Sequence, residues 1–346
     1  MTQILITAAA VAIAVLALLA AAGAFLFNFA LNPRSRLSIM ARVRTGEVAG
    51  TDLSLAAGDP FLKEARAWLE RERLGVSIDA FDGGLLHGWM VPAFDVCVSG
   101  DGRSLELGAA PAASFPSAAE EGRPGRCYGI LCHGYSGDPC DLAREAYMAH
   151  NLGMTVVMPA ARGHERNADR YVSMGWLDAR DLLGWISLIT DADPRARIAL
   201  FGVSMGGAEV MMASGLDLPA NVRCIIEDCG YTSVWDEFAY QLRAMFHLPA
   251  FPVLYAADAV CRLKAGYGFK RASALEQLRR ACVPMLFIHG TEDSFVPYAM
   301  LDRVYRACAS PVKERFAVEG AGHGASSWRE PEAYLARVGG FLNRYL

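Results

Sequence analysis

The stretch from Arg197 to Gly207 reads Arg-Ile-Ala-Leu-Phe-Gly-Val-Ser-Met-Gly-Gly, and it limits the possible folds more than any other. Ile198 to Phe201 is a short apolar run of the kind that forms a strand buried on both faces. It breaks off in Gly202-Val203-Ser204-Met205-Gly206, and Gly207 to Met212 then reads as a helix. A strand, a Gly-x-Ser-x-Gly turn and a helix in that order are the context of a nucleophile elbow. The turn strains the backbone of its central residue, and glycines two places either side avoid clashes with strand and helix. The pattern also fits a plain glycine-rich turn with Ser204 as an N-cap. The rest of the chain must therefore supply chemical partners.

From Cys127 onward apolar strands alternate with helical segments. Strands are expected at Cys127–Cys132, Met154–Met158, Arg197–Phe201, Cys224–Glu227, Met285–Ile288 and Glu314–Val318. Helices are expected at Cys140–Leu152, Leu177–Thr190 and Pro331–Arg344. Such alternation implies right-handed crossovers and a mostly parallel sheet with helices on both faces. Before it, Asp59 caps a helix over Pro60–Arg73, and Val76–Phe81 and Leu85–Val91 form a hairpin around Asp82-Gly83-Gly84 at one sheet edge. Residues 99–126, rich in Gly, Ala, Ser and Pro, read as a surface insertion. Residues 231–272 break the alternation with more than 40 residues lacking a clear strand but rich in bulky apolar side chains. They read as a small helical cap over the strand ends, with ordinary crossover helices as the alternative. The hydrolase-like unit would span 59–346.

The N-terminus has a different character. Ile4 to Phe27 is uncharged and dominated by Ala, Leu, Val and Ile, longer than the roughly 20 residues a membrane-spanning helix needs. No Lys or Arg precedes it, against the expectation for a cleaved signal peptide. Arg34, Arg36, Arg42 and Arg44 follow it, so residues 28–58 read as a basic juxtamembrane linker. The positive-inside rule places the bulk of the chain in the cytoplasm, as a single-pass protein of the cell membrane. With 33 basic against 37 acidic side chains, the net charge of −4 offers no basic surface for nucleic acid. The nine cysteines show no zinc spacing, so neither a metal nor a disulfide framework is expected; Cys132, Cys224 and Cys282 lie in strand-like runs and read as buried thiols.

A serine hydroxyl needs a base, and the base needs an orienting group. Met285-Leu286-Phe287-Ile288-His289-Gly290 runs into a loop carrying Asp293, and Phe316-Ala317-Val318 runs into Glu319-Gly320-Ala321-Gly322-His323-Gly324. Ser204, Asp293 and His323 thus follow successive strand ends in the order of α/β-hydrolases. Glu292 and Asp228 are the rival acids, and His133 is a rival base by residue type. Oxyanion donors are expected from the backbone N–H of Met205 and of Tyr135, the latter in the His133-Gly134-Tyr135-Ser136-Gly137 turn. Arg162-Gly163-His164 reads as a structural turn, with His164 able to line the pocket mouth.

These motifs resemble the α/β-hydrolase superfamily over residues 75–346. Phe287–Pro297 and Glu227–Ser233 further resemble a bacterial group of membrane-anchored serine hydrolases and, more distantly, prolyl oligopeptidase catalytic domains. The resemblance implies hydrolysis of carboxylic ester or thioester bonds through an acyl-enzyme on Ser204, with Asp293 and His323, and no cofactor. It points to a small-molecule or lipid-like acyl ester as substrate. A serine peptidase, or a non-catalytic binding protein on the same scaffold, are the alternatives. The chain departs from the pattern in its 99–126 insertion and at Ala161, where relatives commonly carry Asp.

Overall fold

The computed structural model describes residues 1–45, 47–48, 59–108 and 126–346. Its ten strands are β1 (Leu74–Asp79), β2 (Leu85–Val91), β3 (Val96–Val98), β4 (Leu105–Leu107), β5 (Cys127–Cys132), β6 (Thr155–Pro159), β7 (Arg197–Val203), β8 (Val222–Asp228), β9 (Met285–Gly290) and β10 (Lys313–Val318). Eight of them build one sheet in the order β1-β2-β6-β5-β7-β8-β9-β10. β2 is antiparallel to both neighbours, and every pair from β6 to β10 is parallel. The chain moves from β5 outward to β6, then crosses back to β7. The loops after β5 and β7 therefore diverge from adjacent strand ends, the crevice where parallel sheets bind ligands.

Helices α1 (Thr2–Leu31), α2 (Met40–Arg44), α3 (Pro60–Glu72), α4 (Ala143–Asn151), α5 (Asp178–Ala192), α6 (Met205–Ala213), α7 (Val234–Phe246), α8 (Val253–Lys264), α9 (Ala274–Leu278), α10 (Ala299–Ala307), α11 (Ser326–Arg329) and α12 (Pro331–Tyr345), with a 3-10 turn over Pro139–Leu142, are the helical elements among the described residues. Asp59 accepts from the Phe61 N–H at 2.8 Å and caps α3.

The two-residue period of the strands divides the core. Ile198, Leu200, Met285 and Phe287 face α5, α6 and α10. Ala199, Phe201, Leu286 and Ile288 face α3, α4 and α12, whose Leu69, Tyr334 and Phe341 are buried against them. Each fully buried Leu or Phe contributes about 1.5–3 kcal/mol. All nine residues of α6 are buried, which is why its sequence shows no polar face.

Residues 231–272 form a closed excursion. Ser233 bridges Ser273 where the segment leaves and returns, and the Val234 N–H donates to the Ala272 carbonyl. Between these points lie α7 and α8, whose Phe238, Leu242 and Leu254 line the space beside Ser204.

Several expectations are corrected. The apolar helix does not stop at Phe27 but runs to Leu31, and Phe27 and Leu31 are 1% and 0% exposed. Residues 28–31 are therefore packed helix instead of linker. The Val172 N–H donates to the Leu31 carbonyl, and Phe27 meets Tyr171 edge-on. Of the 28–58 linker, 46 and 49–58 lie outside the described residues. Of the 99–126 insertion, 109–125 do so; its start holds β4, which pairs with β3 just before it in a short hairpin too small to show periodicity. Cys132 and Cys224 are buried, but Cys282 is exposed in the turn before β9.

Gly202 and Gly206 make the tightest contacts in the elbow. A Cβ on Gly206 would lie 2.0 Å from the Cys132 carbonyl oxygen, and one on Gly202 would lie 2.0 Å from the Gly206 carbonyl oxygen. Neither obstacle is a flexible side chain. Gly206→Ala is expected to destabilise the fold by about 3 kcal/mol or more, measured by urea unfolding; a loss under 1 kcal/mol would contradict this packing.

Candidate active site

Ser204 sits between β7 and α6 with φ 58° and ψ −114°, a conformation that costs a non-glycine residue about 1–3 kcal/mol. Its N–H donates to the Asp228 carbonyl at 2.8 Å, and its carbonyl accepts from the Ala208 N–H at 2.9 Å. Both ends of the residue are thereby pinned, and the hydroxyl projects from the carboxyl edge of the sheet.

The loops after β9 and β10 meet it there. A Cβ on Gly290 would stand 2.2 Å from the Ala321 carbonyl oxygen, so glycine lets the two loops touch. The Glu292 N–H donates to Ala321, and the Thr291 hydroxyl accepts from the Gly320 N–H at 2.9 Å. The Ser204 hydroxyl donates to His323 Nε2 at 2.8 Å, and His323 Nδ1 donates to Asp293 Oδ2 at 2.8 Å. The other carboxylate oxygen, Asp293 Oδ1, accepts from the Phe295 and Val296 N–H groups, each at 2.9 Å. Burial pushes the Asp293 carboxyl up, but His323, His289 and their hydrogen bonds outweigh it and hold it well below the usual carboxylate range. An ionised Asp293 can only accept, which keeps the imidazole hydrogen on Nδ1 and leaves Nε2 as an acceptor for the serine hydroxyl.

The rival acids are elsewhere. Asp228 accepts from Ser326 Oγ at 3.1 Å and the Tyr334 hydroxyl at 3.0 Å, tying β8 to α11 and α12. Glu292 is exposed. His133 and His164 are buried supports for the turn after β5. His133 accepts from the Ala161 N–H at 3.0 Å and donates to the Gly134 carbonyl at 2.8 Å. His164 accepts from the Ser136 N–H at 3.2 Å and donates to the Arg162 carbonyl at 3.0 Å. Burial lowers both rings, His164 to about 3, so both stay neutral at pH 7 and keep an accepting nitrogen. His164 thus lies beneath the loop instead of lining the pocket mouth. Arg162 anchors the turn after β6, with Nε 2.6 Å from Asp181 of α5 and its terminal nitrogens 2.8 Å from Asp82.

So braced, Gly134 packs on Ser204, where an added Cβ would come within 3.4 Å of the serine Cβ. Tyr135 follows it, its hydroxyl donating to the Ala30 carbonyl of α1 at 2.5 Å. Met205 opens α6, where its N–H has no intrahelical acceptor.

His289 and Glu227 had no role in the sequence reading. His289 is fully buried beneath Asp293, its Nε2 3.2 Å from Oδ2 and donating to the Val296 carbonyl at 2.9 Å. The signal was present in the His-Gly-x-x-Asp spacing, but only the fold shows the ring turned inward. Glu227 Oε2 accepts from the Gly230 N–H at 3.0 Å. Burial raises the acid to about 8 and keeps it neutral.

Two spaces meet at Ser204. One is a narrow slot of about 90 Å³ walled by α1 (Leu26, Phe27, Phe29, Ala30), by α7 and α8 (Phe238, Leu242, Met245, Leu254) and by Phe269. The other is an open cleft of about 570 Å³ bordered by Arg44, Arg66, Ser136, Asp138, Glu145 and His323. Glu237 is the one acid in the slot wall. Its Oε1 accepts from Gln241 Nε2 at 2.9 Å, and burial pushes it up to about 8, so the slot is uncharged at pH 7. Cys229, Asp293 and His323 bring possible metal-ligand atoms within 4.8 Å of one another. Burial holds the Cys229 thiol protonated, and the other two already bond each other, so the trio is poorly suited to a cation.

A parallel sheet with an elbow serine, a histidine and an acid at successive strand ends defines the α/β-hydrolase class, here a serine hydrolase of the esterase or peptidase type. The chain belongs to the prolyl oligopeptidase family, whose model matches residues 141–346. The uncharacterised protein YqkD of Bacillus subtilis is 27% identical over 215 residues, covering 62% of this chain and 70% of YqkD. An uncharacterised Mycobacterium tuberculosis protein is 30% identical over 210 residues, covering 60% of this chain and 65% of that protein. In fold the chain is similar to a Pyrococcus furiosus esterase, with TM-score 0.58 and 19% identity over 79% of this chain and 91% of the esterase. It is also similar to a Pyrococcus horikoshii acylaminoacyl peptidase, with TM-score 0.53 and 17% identity over 80% of this chain and 42% of the peptidase.

If Asp293 orients the base, Asp293→Asn lowers kcat by about 10⁴-fold while Asp228→Asn stays within about tenfold of wild type. Steady-state rates on one chromogenic ester check this, and the reverse order would transfer the role to Asp228.

Proposed function

We propose that the protein cleaves carboxylic esters or thioesters of apolar acyl groups through an acyl-enzyme on Ser204. The observation that carries the reading is a serine bonded to His323 at 2.8 Å on the edge of an apolar slot. His323 takes the Ser204 proton as Oγ attacks the acyl carbonyl. The Met205 and Tyr135 N–H groups stabilise the resulting oxyanion. His323 then returns the proton to the departing alcohol or thiol as its bond to the acyl carbon breaks. Water, deprotonated by His323, attacks the acyl carbon, and His323 returns that proton to Ser204 Oγ as its bond to the acyl carbon breaks and the acid leaves. Asp293 holds the tautomer and stabilises the imidazolium throughout.

The two spaces suit the two halves of such a substrate. The narrow slot fits a single unbranched chain, and the wider cleft, with Arg44, Arg66, Asp138 and Glu145 at its border, fits a hydrophilic leaving group. A peptide bond is the second reading, favoured by the family match. We read the chain as an anchor helix followed by one hydrolase unit over 59–346, with residues 231–272 as its cap.

α1 is long and apolar enough to cross a membrane, and residues 2–18 are exposed along it. We read it as a retained anchor with the hydrolase on the cytoplasmic side. Removing it as a signal peptide would strip one wall from the slot. The arginines at 34, 36, 42 and 44 support that side.

Wild type is expected to react with a fluorophosphonate probe, and Ser204→Ala to lose both the label and about 10⁴-fold or more of ester turnover; equal labelling would refute the mechanism. In a panel of matched p-nitrophenyl esters and peptide p-nitroanilides, kcat/KM should rise from acetyl to octanoyl esters. A preference for anilides would favour the peptidase reading.

Glu237 adds a pH signature. Because its pKa is raised, it is neutral below about 8 and gains a charge inside the slot above it. KM for the octanoyl ester should therefore rise above pH 8, and should stay flat there in Glu237→Gln. An identical rise in both proteins would contradict this role.

A further inference from the structure

The slot is apolar, and one of its walls is the inner end of the helix read as an anchor. How an insoluble chain reaches it depends on where the bilayer surface falls. Thr2 to Ala22 precede the first buried position of α1, Gly23. At 1.5 Å per residue these 21 residues span roughly 31 Å, the thickness of a bilayer's hydrocarbon core. Gly23 lies directly on α8, where an added Cβ would stand 2.6 Å from the Ala256 carbonyl carbon. The start of α8 is therefore level with the point where α1 enters the bilayer.

The surface at that level is apolar and uncovered. Phe251 is 72% exposed, Tyr255 47% and Leu248 41%. Phe251 and Tyr255 pack edge to face at 5.8 Å. On the other flank, Phe246 at the end of α7 meets Phe25 and Phe29 of α1 at 6.4 and 5.5 Å, two residues before Leu248. The exposed side chains thus adjoin α1 where it leaves the folded body. Lys270 lies 3.3 Å from the Tyr255 hydroxyl and places a cation at the same level. Aromatic side chains with a nearby lysine suit the zone between acyl chains and headgroups.

We propose that Leu248, Phe251 and Tyr255 form an interfacial wedge that dips into the bilayer spanned by α1, seating the slot on the membrane so that acyl chains enter it directly from lipid. The substrate class is then a membrane-resident acyl ester. The slot wall begins at Leu26, one residue short of a full turn past Gly23, so a chain leaving the lipid has only about 5 Å of helix to pass. The inference rests on reading α1 as an anchor and Ser204 as the nucleophile.

Full-length protein reconstituted in vesicles of phosphatidylcholine and phosphatidylglycerol provides the test. Leu248→Ser combined with Phe251→Ser alters neither the slot nor the bonded trio. The double variant should keep its rate on water-soluble p-nitrophenyl acetate and lose about tenfold on p-nitrophenyl palmitate dissolved in the same vesicles, since withdrawing one phenyl ring from lipid forfeits at least a factor of ten. Equal rates on both esters for variant and wild type would overturn the wedge. A second measurement does not depend on turnover. In Phe251→Trp the added emission should be quenched by phosphatidylcholine brominated near the headgroup and shielded from aqueous iodide; the opposite pattern overturns the proposal. Loss of acetate hydrolysis by the wild type itself would count against the ester reading, leaving the fluorescence to decide the wedge.

Discussion

The backbone of Ser204, held at φ 58°, is the constraint on which the rest of the site depends. A non-glycine residue stays in that conformation only when its surroundings over-determine it. Here a parallel strand enters from one side and a fully buried helix leaves on the other. The Asp228 carbonyl fixes the serine N–H, and glycines at 202 and 206 let strand, turn and helix approach to backbone contact. The sheet supplies the stiffness, and the strain at one residue puts its hydroxyl where two distant loops can reach it.

Polar groups are spent in two distinct ways around that point. In the turns after β5 and β6 they are bonded and hold geometry: neutral His133 and His164 accept backbone N–H groups, and Arg162 gathers Asp82 and Asp181. Beside Ser204 they form one hydrogen-bonded line, with one ionised carboxylate, one imidazole and one hydroxyl. The second histidine, His289, completes the shell of Asp293, so the buried charge faces donors on both oxygens. A buried carboxylate without such partners would take up a proton.

Much of this was legible along the chain because each signal is local. Buried parallel strands read as apolar runs, the elbow needs its glycines within five residues, and loops after strands carry Asp293 and His323. Asp228 was a fair rival since it also ends a strand, and only the hydrogen bonds to Ser326 and Tyr334 show where its carboxylate is used. The β3–β4 hairpin was missed because three-residue strands carry too little period. Cys282 was misread because an apolar neighbourhood in sequence does not say which turn faces solvent.

The sequence by itself determined the sheet, the elbow and the order of the three side chains, since backbone sterics and the two-residue strand period act over a few neighbours. Only the tertiary structure shows what the last turns of α1 pack against. An uncharged helix of 30 residues looks the same whether it ends in lipid, is cut away or packs on a domain. Its last turns belong to the slot wall because Gly23 fits against Ala256, Phe27 against Tyr171 and Ala30 against the Tyr135 hydroxyl. Those partners lie 105 to 233 residues away, and contacts at that separation are set by how the layers stack, which local pattern cannot carry.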